Sequence, residues 1–197
     1  MNTIKSIPTS YAGINFRSRL EAKWAAFFDL CGWKWSYEPE GFDGWIPDFS
    51  LGELPTLVEV KPFLREEEWK SCIEKIVASG CKHNVVLLGS DATFFLDDKN
   101  QETPMIGWLV ECYSNPWEPT SFDIFDLNFG YTEGNDKLGL CPMGGGWTNY
   151  IWDVPKNIYL DHPNKWCRVY EDSDGKASRY LRAAWSQACN VTQWRMT

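Results

Sequence analysis

The sequence predicts an α/β (α+β) domain whose first half runs helix–strand–strand–strand–helix–strand, followed by a β-rich and helical extension. Three observations carry that expectation. Leu20, Trp24, Phe27, Phe28 and Cys31 recur at helical spacing near the start. Two strand-like runs, Trp45 to Leu51 and Thr56 to Phe63, flank the turn sequence Gly52-Glu53-Leu54-Pro55. A second helical stretch, about Glu66 to Ala78, then leads into the apolar run Asn84 to Leu88. At 197 residues the chain can bury a proper core within one domain, perceived as a core over 1–100 and an extension over 101–197 packed on it.

The first helix is expected from Phe16 to about Cys31. At roughly 100° per residue, Glu21 falls at the border of the apolar stripe and points partly inward, with Arg17 one turn earlier on the same face. A strand near Lys34 to Tyr37 comes next. In the run Trp45 to Leu51, Ile46, Asp48 and Ser50 share a face. In the run Thr56 to Phe63, Leu57, Glu59 and Lys61 share one side while Val58 and Val60 point to the other.

A run this rich in valine reads as an interior strand, where an unpaired charge is expensive to bury. Folding alone gives little reason to place Glu59 and Lys61 there. An antiparallel hairpin would bring Asp48 beside both. Two carboxylates meeting at one point repel unless a cation sits between them. Hard oxygen ligands in this number suit Mg2+ or Mn2+, which need one or two carboxylates and retain water.

These residues, in this order, resemble the PD-(D/E)xK nuclease superfamily, whose core runs αβββαβ. Pro47-Asp48 matches the first half of the motif and Glu59-Val60-Lys61 the second. Glu21 matches the helix-borne glutamate of many members, among them Holliday-junction resolvases and phage-type exonucleases. Arg17-Ser18-Arg19-Leu20-Glu21-Ala22-Lys23-Trp24 and Tyr37-Glu38-Pro39-Glu40 look like segments of small nucleases encoded by phages and mobile elements. The resemblance covers roughly residues 11 to 90 and implies a restriction-endonuclease-like core. It further implies that Asp48, Glu59 and the Val60 carbonyl hold a divalent ion, Mg2+ or Mn2+. Lys61 would orient or deprotonate the attacking water, and Glu21 would complete the outer ligands or help hold a second ion. The implied products are a 5′-phosphate and a 3′-hydroxyl.

Plainer readings exist for each residue. Glu59 and Lys61 could be a surface pair on an edge strand, worth ~0–1 kcal/mol. Asp48 after proline could be an ordinary turn residue, and Glu21 could simply pair with Arg17.

A net charge of −8 opposes binding to a phosphate backbone, but the charge is uneven. Residues 1–35 carry five basic side chains against two acidic ones, and residues 156–197 carry seven against four. If the chain ends meet around the catalytic face, Arg17, Arg19, Lys23, Arg179 and Arg182 could contact DNA.

The segment Ser178 to Trp194 reads as a helix with Tyr180, Ala184, Cys189 and Val191 as inward positions. Trp185 and Trp194 either stack on bases or belong to a docked terminal helix with a solvated basic face; both readings stay open. Residues 105–165 read as β-rich, with strands near 105–113, 121–129, 138–142 and 147–152 and tryptophans that fill the core.

Nothing resembles a signal peptide and no run reaches the ~20 apolar residues of a membrane span, so a cytoplasmic protein is expected. Seven cysteines without a Cys-x-x-Cys motif read as reduced thiols. Cys81, His83, Cys112 and Cys141 offer only a weak zinc pattern. The expected activity is metal-dependent hydrolysis of double-stranded DNA, internally or as a nickase, in phage–host or mobile-element conflict. A duplex break would need a homodimer or two sequential cuts. The alternatives are a non-catalytic nuclease-fold binding module, inhibitor or DNA mimic, and an unrelated acidic interaction protein.

Overall fold

The computed structural model describes residues 6–52, 56–96, 99–100, 102–103, 105–115, 118–132, 137–143, 150–153, 158–161 and 176–193. The chain opens with a hairpin that the helical period did not announce: β1 (Thr9–Tyr11) and β2 (Ile14–Phe16) pair antiparallel around Ala12 and Gly13. Both turn residues have positive φ, 49° and 79°, which suits a tight two-residue connection. Phe16 therefore ends a strand instead of starting the helix. Helix α1 (Arg19–Leu30) begins behind Ser18, whose hydroxyl accepts the Glu21 N–H at 3.1 Å.

Strands β3 (Trp35–Tyr37), β4 (Phe49–Leu51) and β5 (Thr56–Val60) follow. A 3-10 turn (Glu66–Trp69) then leads into helix α2 (Lys70–Ala78) and strand β6 (Val85–Leu88). Strands β3, β4 and β5 pair antiparallel in turn, and β6 pairs parallel with β5, as a helical crossover allows. From Arg19 to Leu88 the element order is thus helix–strand–strand–strand–helix–strand.

A small hairpin, β7 (Phe95–Leu96) with β8 (Glu102–Thr103), precedes the second half. There β9 (Gly107–Asn115) pairs antiparallel with β6, and the sheet runs on through β10 (Glu118–Thr132), β11 (Lys137–Met143), β12 (Tyr150–Asp153) and β13 (Ile158–Asp161). The order across this mixed sheet is β13-β12-β11-β10-β9-β6-β5-β4-β3. Gly107 is required where β9 meets β6, because a Cβ there would lie 2.1 Å from the Leu87 carbonyl oxygen. Strand β13 was not expected from the sequence.

The alternation of strand side chains divides the core in two. Val58, Val60, Val86, Leu88 and Leu109 face helix α1 and its aromatic residues. Leu57, Val85, Leu87, Trp108 and Val110 face Ile73 and Ile76 of α2. Helix α3 (Lys176–Val191) packs on the α1 side. Its buried positions are Ala184, Trp185, Ala188 and Thr192, whereas Tyr180 and Val191 are 40% and 53% exposed. The inward stripe thus differs from the expected one. Trp185 packs against Trp24 with ring centroids 4.7 Å apart and donates to Asp91, so it fills the core and offers no stacking surface. Trp194, Arg195 and the 147–149 part of the expected fourth strand lie outside the described residues, and Cys141 sits on β11. Among the described residues no helix is long and apolar enough to cross a membrane.

Candidate active site

Asp48 immediately precedes β4, and the antiparallel pair Phe49↔Val58 sets it level with Glu59. Phe49 and Leu51 enter the α1-side core, so Asp48 takes the opposite face, toward α2. Asp48 and Glu59 are buried, 1% and 4% exposed, on an interior strand pair. The edge-strand and ordinary-turn readings are excluded by that burial.

Lys61 follows β5 directly. Its Nζ lies 2.5 Å from Glu59 Oε1, 3.6 Å from Asp48 Oδ2 and 3.2 Å from the Val60 carbonyl oxygen. One ammonium thus touches all three oxygens named as metal ligands from the sequence. The remaining carboxylate oxygens are pinned by other groups. Arg17 Nη2 meets Asp48 Oδ1 at 2.5 Å, and Trp45 Nε1 donates to Glu59 Oε2 at 2.9 Å. Val60 N–H donates to Asp48 Oδ2 at 2.7 Å, which joins the end of β5 to the start of β4.

Burial, and then the charge of Glu59, push the Asp48 carboxyl up to about 6; Lys61 and the Val60 N–H pull against that rise. Burial pulls the Lys61 ammonium down, but Asp48 and Glu59 outweigh it and hold the group above its ordinary value. Asp48 therefore holds a proton more readily than a free carboxyl even with Lys61 in place. The donors are hard oxygens, and two carboxylates with a main-chain carbonyl fit Mg2+ or Mn2+. Among the described residues no three His, Cys, Asp or Glu side chains converge as a ready cage. Any ion here would thus rest on two acids, the carbonyl and water.

The site opens into a cleft of about 580 Å³ between the end of the β4–β5 pair and α2. Phe42, Trp45, Ile46 and Phe63 form its apolar wall, and Ser71, Cys72 and Lys75 line it from α2. Burial, with the charge of Glu59, pushes the Cys72 thiol up to about 12.

Glu21 stands apart. Its carboxylate accepts from Ser18 Oγ at 2.8 Å and from the Tyr37 hydroxyl at 2.5 Å, and it reaches Asp48 only through Arg17, 3.9 Å away. Burial and the bond to Glu21 raise the Tyr37 phenol to about 12. Arg17 also pairs with Glu38 at 3.0 Å, so its guanidinium is engaged by the acids of the site. Arg19 and Lys23 are half-buried on α1; Arg19 Nε has no hydrogen-bond partner, and Lys23 bonds the Cys189 side chain on α3. Arg179 and Arg182 are exposed on α3. Of these five basic residues only Arg17 lines the cleft.

Trp45 and Lys75 were not singled out from the sequence. A tryptophan ahead of Pro47-Asp48 reads as core, and it is buried; nothing local signals its bond to Glu59. Ser71, Cys72 and Lys75 form a one-turn stripe on α2 that the helical period could have placed opposite Glu59.

Comparison with protein-family models, curated proteins and solved structures returns no match for this chain.

Proposed function

We propose that this chain is a divalent-metal-dependent deoxyribonuclease of the PD-(D/E)xK type, cutting internally or nicking, with residues 1–100 as its restriction-endonuclease-like core. The observation that carries the reading is the convergence of Asp48 Oδ2, Glu59 Oε1 and the Val60 carbonyl on one ammonium, Lys61 Nζ. A cation is already needed at that point, and the β5 strand that holds it is interior.

Bound there, Mg2+ or Mn2+ supplies a polarised phosphate and a water of lowered pKa. Asp48, Glu59 and the Val60 carbonyl would hold the ion, while Arg17 and Trp45 fix the second oxygen of Asp48 and of Glu59. Lys61 would then orient the attacking water and offset charge on the phosphorane. Glu21 acts by holding Arg17 and Tyr37. Lys75 on the cleft wall is placed to meet a neighbouring phosphate of double-stranded DNA, and Arg179 and Arg182 add exposed positive charge on α3. One such site cuts one strand, so a duplex break takes a homodimer or two events.

The deciding experiment is supercoiled plasmid with purified protein in Mg2+ or Mn2+, beside EDTA and Lys61→Ala. Open circles that vanish in both controls are expected. Cleavage that survives Lys61→Ala would overturn the assignment of this site, and a protein that neither cuts nor binds metal by calorimetry would overturn the reading in favour of a non-catalytic binding module.

A further inference from the structure

A second reactive cluster lies on the α2-facing side of the sheet, at the opposite end of β5 and β6 from the carboxylates. Cys81 sits in the turn between α2 and β6, and Cys112 sits on β9. The pairing Val85↔Val110 sets Cys112 level with His83, two residues beyond Cys81. The register and the shared apolar cluster set the two thiols side by side, close enough for each to act on the other's proton. Cys81 Sγ also accepts the His83 N–H at 3.4 Å and lies 3.7 Å from the His83 carbonyl oxygen. Both cysteines are free and belong to one apolar cluster. Cys81 is buried and Cys112 half-buried, so a small oxidant reaches the pair from the Cys112 side.

The two sulfurs are not equivalent. The neighbouring Cys112 thiol, and then the His83 N–H that meets Cys81 Sγ at 3.4 Å, lower the Cys81 thiol below its ordinary value against the upward pull of burial. Cys112 is correspondingly pushed up and keeps its proton. An attacking thiolate beside a protonated thiol is the arrangement that thiol oxidation uses. Cys72, in the same cluster, is held protonated by burial.

We propose that Cys81 and Cys112 are an oxidisable dithiol that closes to a disulfide under a peroxide, with Cys81 as the attacking sulfur and Cys112 as the resolving one. The Cys81 thiolate attacks the O–O bond, becoming a sulfenic acid and releasing hydroxide, which takes up the proton that Cys81 had lost. The Cys112 sulfur then attacks the sulfenic sulfur, the S–O bond breaks, and the Cys112 proton leaves with the departing hydroxide as water. Two thiols lose two electrons in all, and one peroxide becomes two waters.

The pair borders the wall of the candidate active site. The His83 ring meets Phe42 edge-on at 6.0 Å, Phe42 stacks on Trp45 at 5.5 Å, and Trp45 holds Glu59. The inference does not depend on the nuclease reading, because the sulfur chemistry is read directly.

The test is to treat the reduced full chain with a few equivalents of hydrogen peroxide, then to alkylate, digest without reductant and map the peptides. A cross-linked Cys81–Cys112 peptide is expected, with an intact mass two hydrogens lower and full reversal by dithiothreitol. In Cys112→Ser, dimedone should label Cys81 and the cross-link should vanish; Cys72→Ser should leave the cross-link unchanged. A cross-link that runs preferentially through Cys72, or both thiols still fully alkylatable in wild-type protein with native circular dichroism, would overturn the proposal.

Discussion

The two sides of strand β5 show opposite solutions to the same burial. Val58 and Val60 enter a core of Trp24, Phe27, Phe28, Phe49 and Trp185, where neighbouring ring centroids lie between 4.7 Å, for Trp24 and Trp185, and 6.5 Å, for Phe27 and Phe28. The polar edge of Trp24 is satisfied there too, since its Nε1 donates to the Gly89 carbonyl at 2.9 Å. On the other side, Glu59 is held with Asp48 and Lys61 at the floor of a cleft, where burial and the charge of Glu59 raise the proton affinity of Asp48. Apolar packing on one face fixes the strand, and the fixed strand holds charges together on the other that would separate if free. Stability should therefore reside mainly on the α1 side and chemistry on the α2 side.

The sharpest way to separate the faces is Lys61→Ala. On the proposed nuclease reading, loss of the Lys61 ammonium should lower plasmid cleavage by ~10²–10⁴-fold. The same variant should bind Mg2+ or Mn2+ more tightly by calorimetry, since the ammonium that competes for Asp48 Oδ2 and Glu59 Oε1 is gone. Tighter metal with less cleavage is the combination a purely structural lysine would not produce.

Phe28→Ala acts on the other face. Phe28 is fully buried between Trp33 and Phe49, and its removal should cost ~3–5 kcal/mol in urea unfolding. Metal affinity of the molecules that remain folded should stay at the wild-type value. Trp45→Phe sits between these extremes, because it keeps a ring against Phe42 but removes the N–H that pins Glu59 Oε2. Metal affinity should fall by ~10–100-fold, as outer ligand partners typically contribute. A change in unfolding free energy alone would assign Trp45 to packing.

The sequence reading reached furthest where a period or a register decides position. Strand alternation placed Glu59 and Lys61 opposite Val58 and Val60, and the short hairpin brought Asp48 level with Glu59. It failed where partners distant in sequence decide. A helical wheel places Glu21 at the edge of the apolar stripe, yet Ser18 and Tyr37 take up its oxygens and Arg17 stands between it and Asp48. Nothing local to Trp185 tells that Trp24, far away in the chain, covers it. Ala12 at positive φ carries none of the usual turn chemistry, so the opening hairpin was missed.

The smallest expected effect follows from the proton affinity of Asp48. Its folded value, about 6, lies above the unfolded value of 3.8, so the folded chain binds this proton more tightly than the unfolded one. That contribution to stability is fully present below about 3.8 and is lost as pH rises through about 6. In EDTA, unfolding free energy attributable to this group should fall by roughly 2 kcal/mol between pH 4 and 7. Asp48→Asn cannot ionise, so the difference between variant and wild type should change across that window in favour of the variant. A parallel pair of stability–pH curves would mean that Arg17 and Lys61 already compensate the charge fully, and the α2-side face would then cost the fold no more than the α1-side face does.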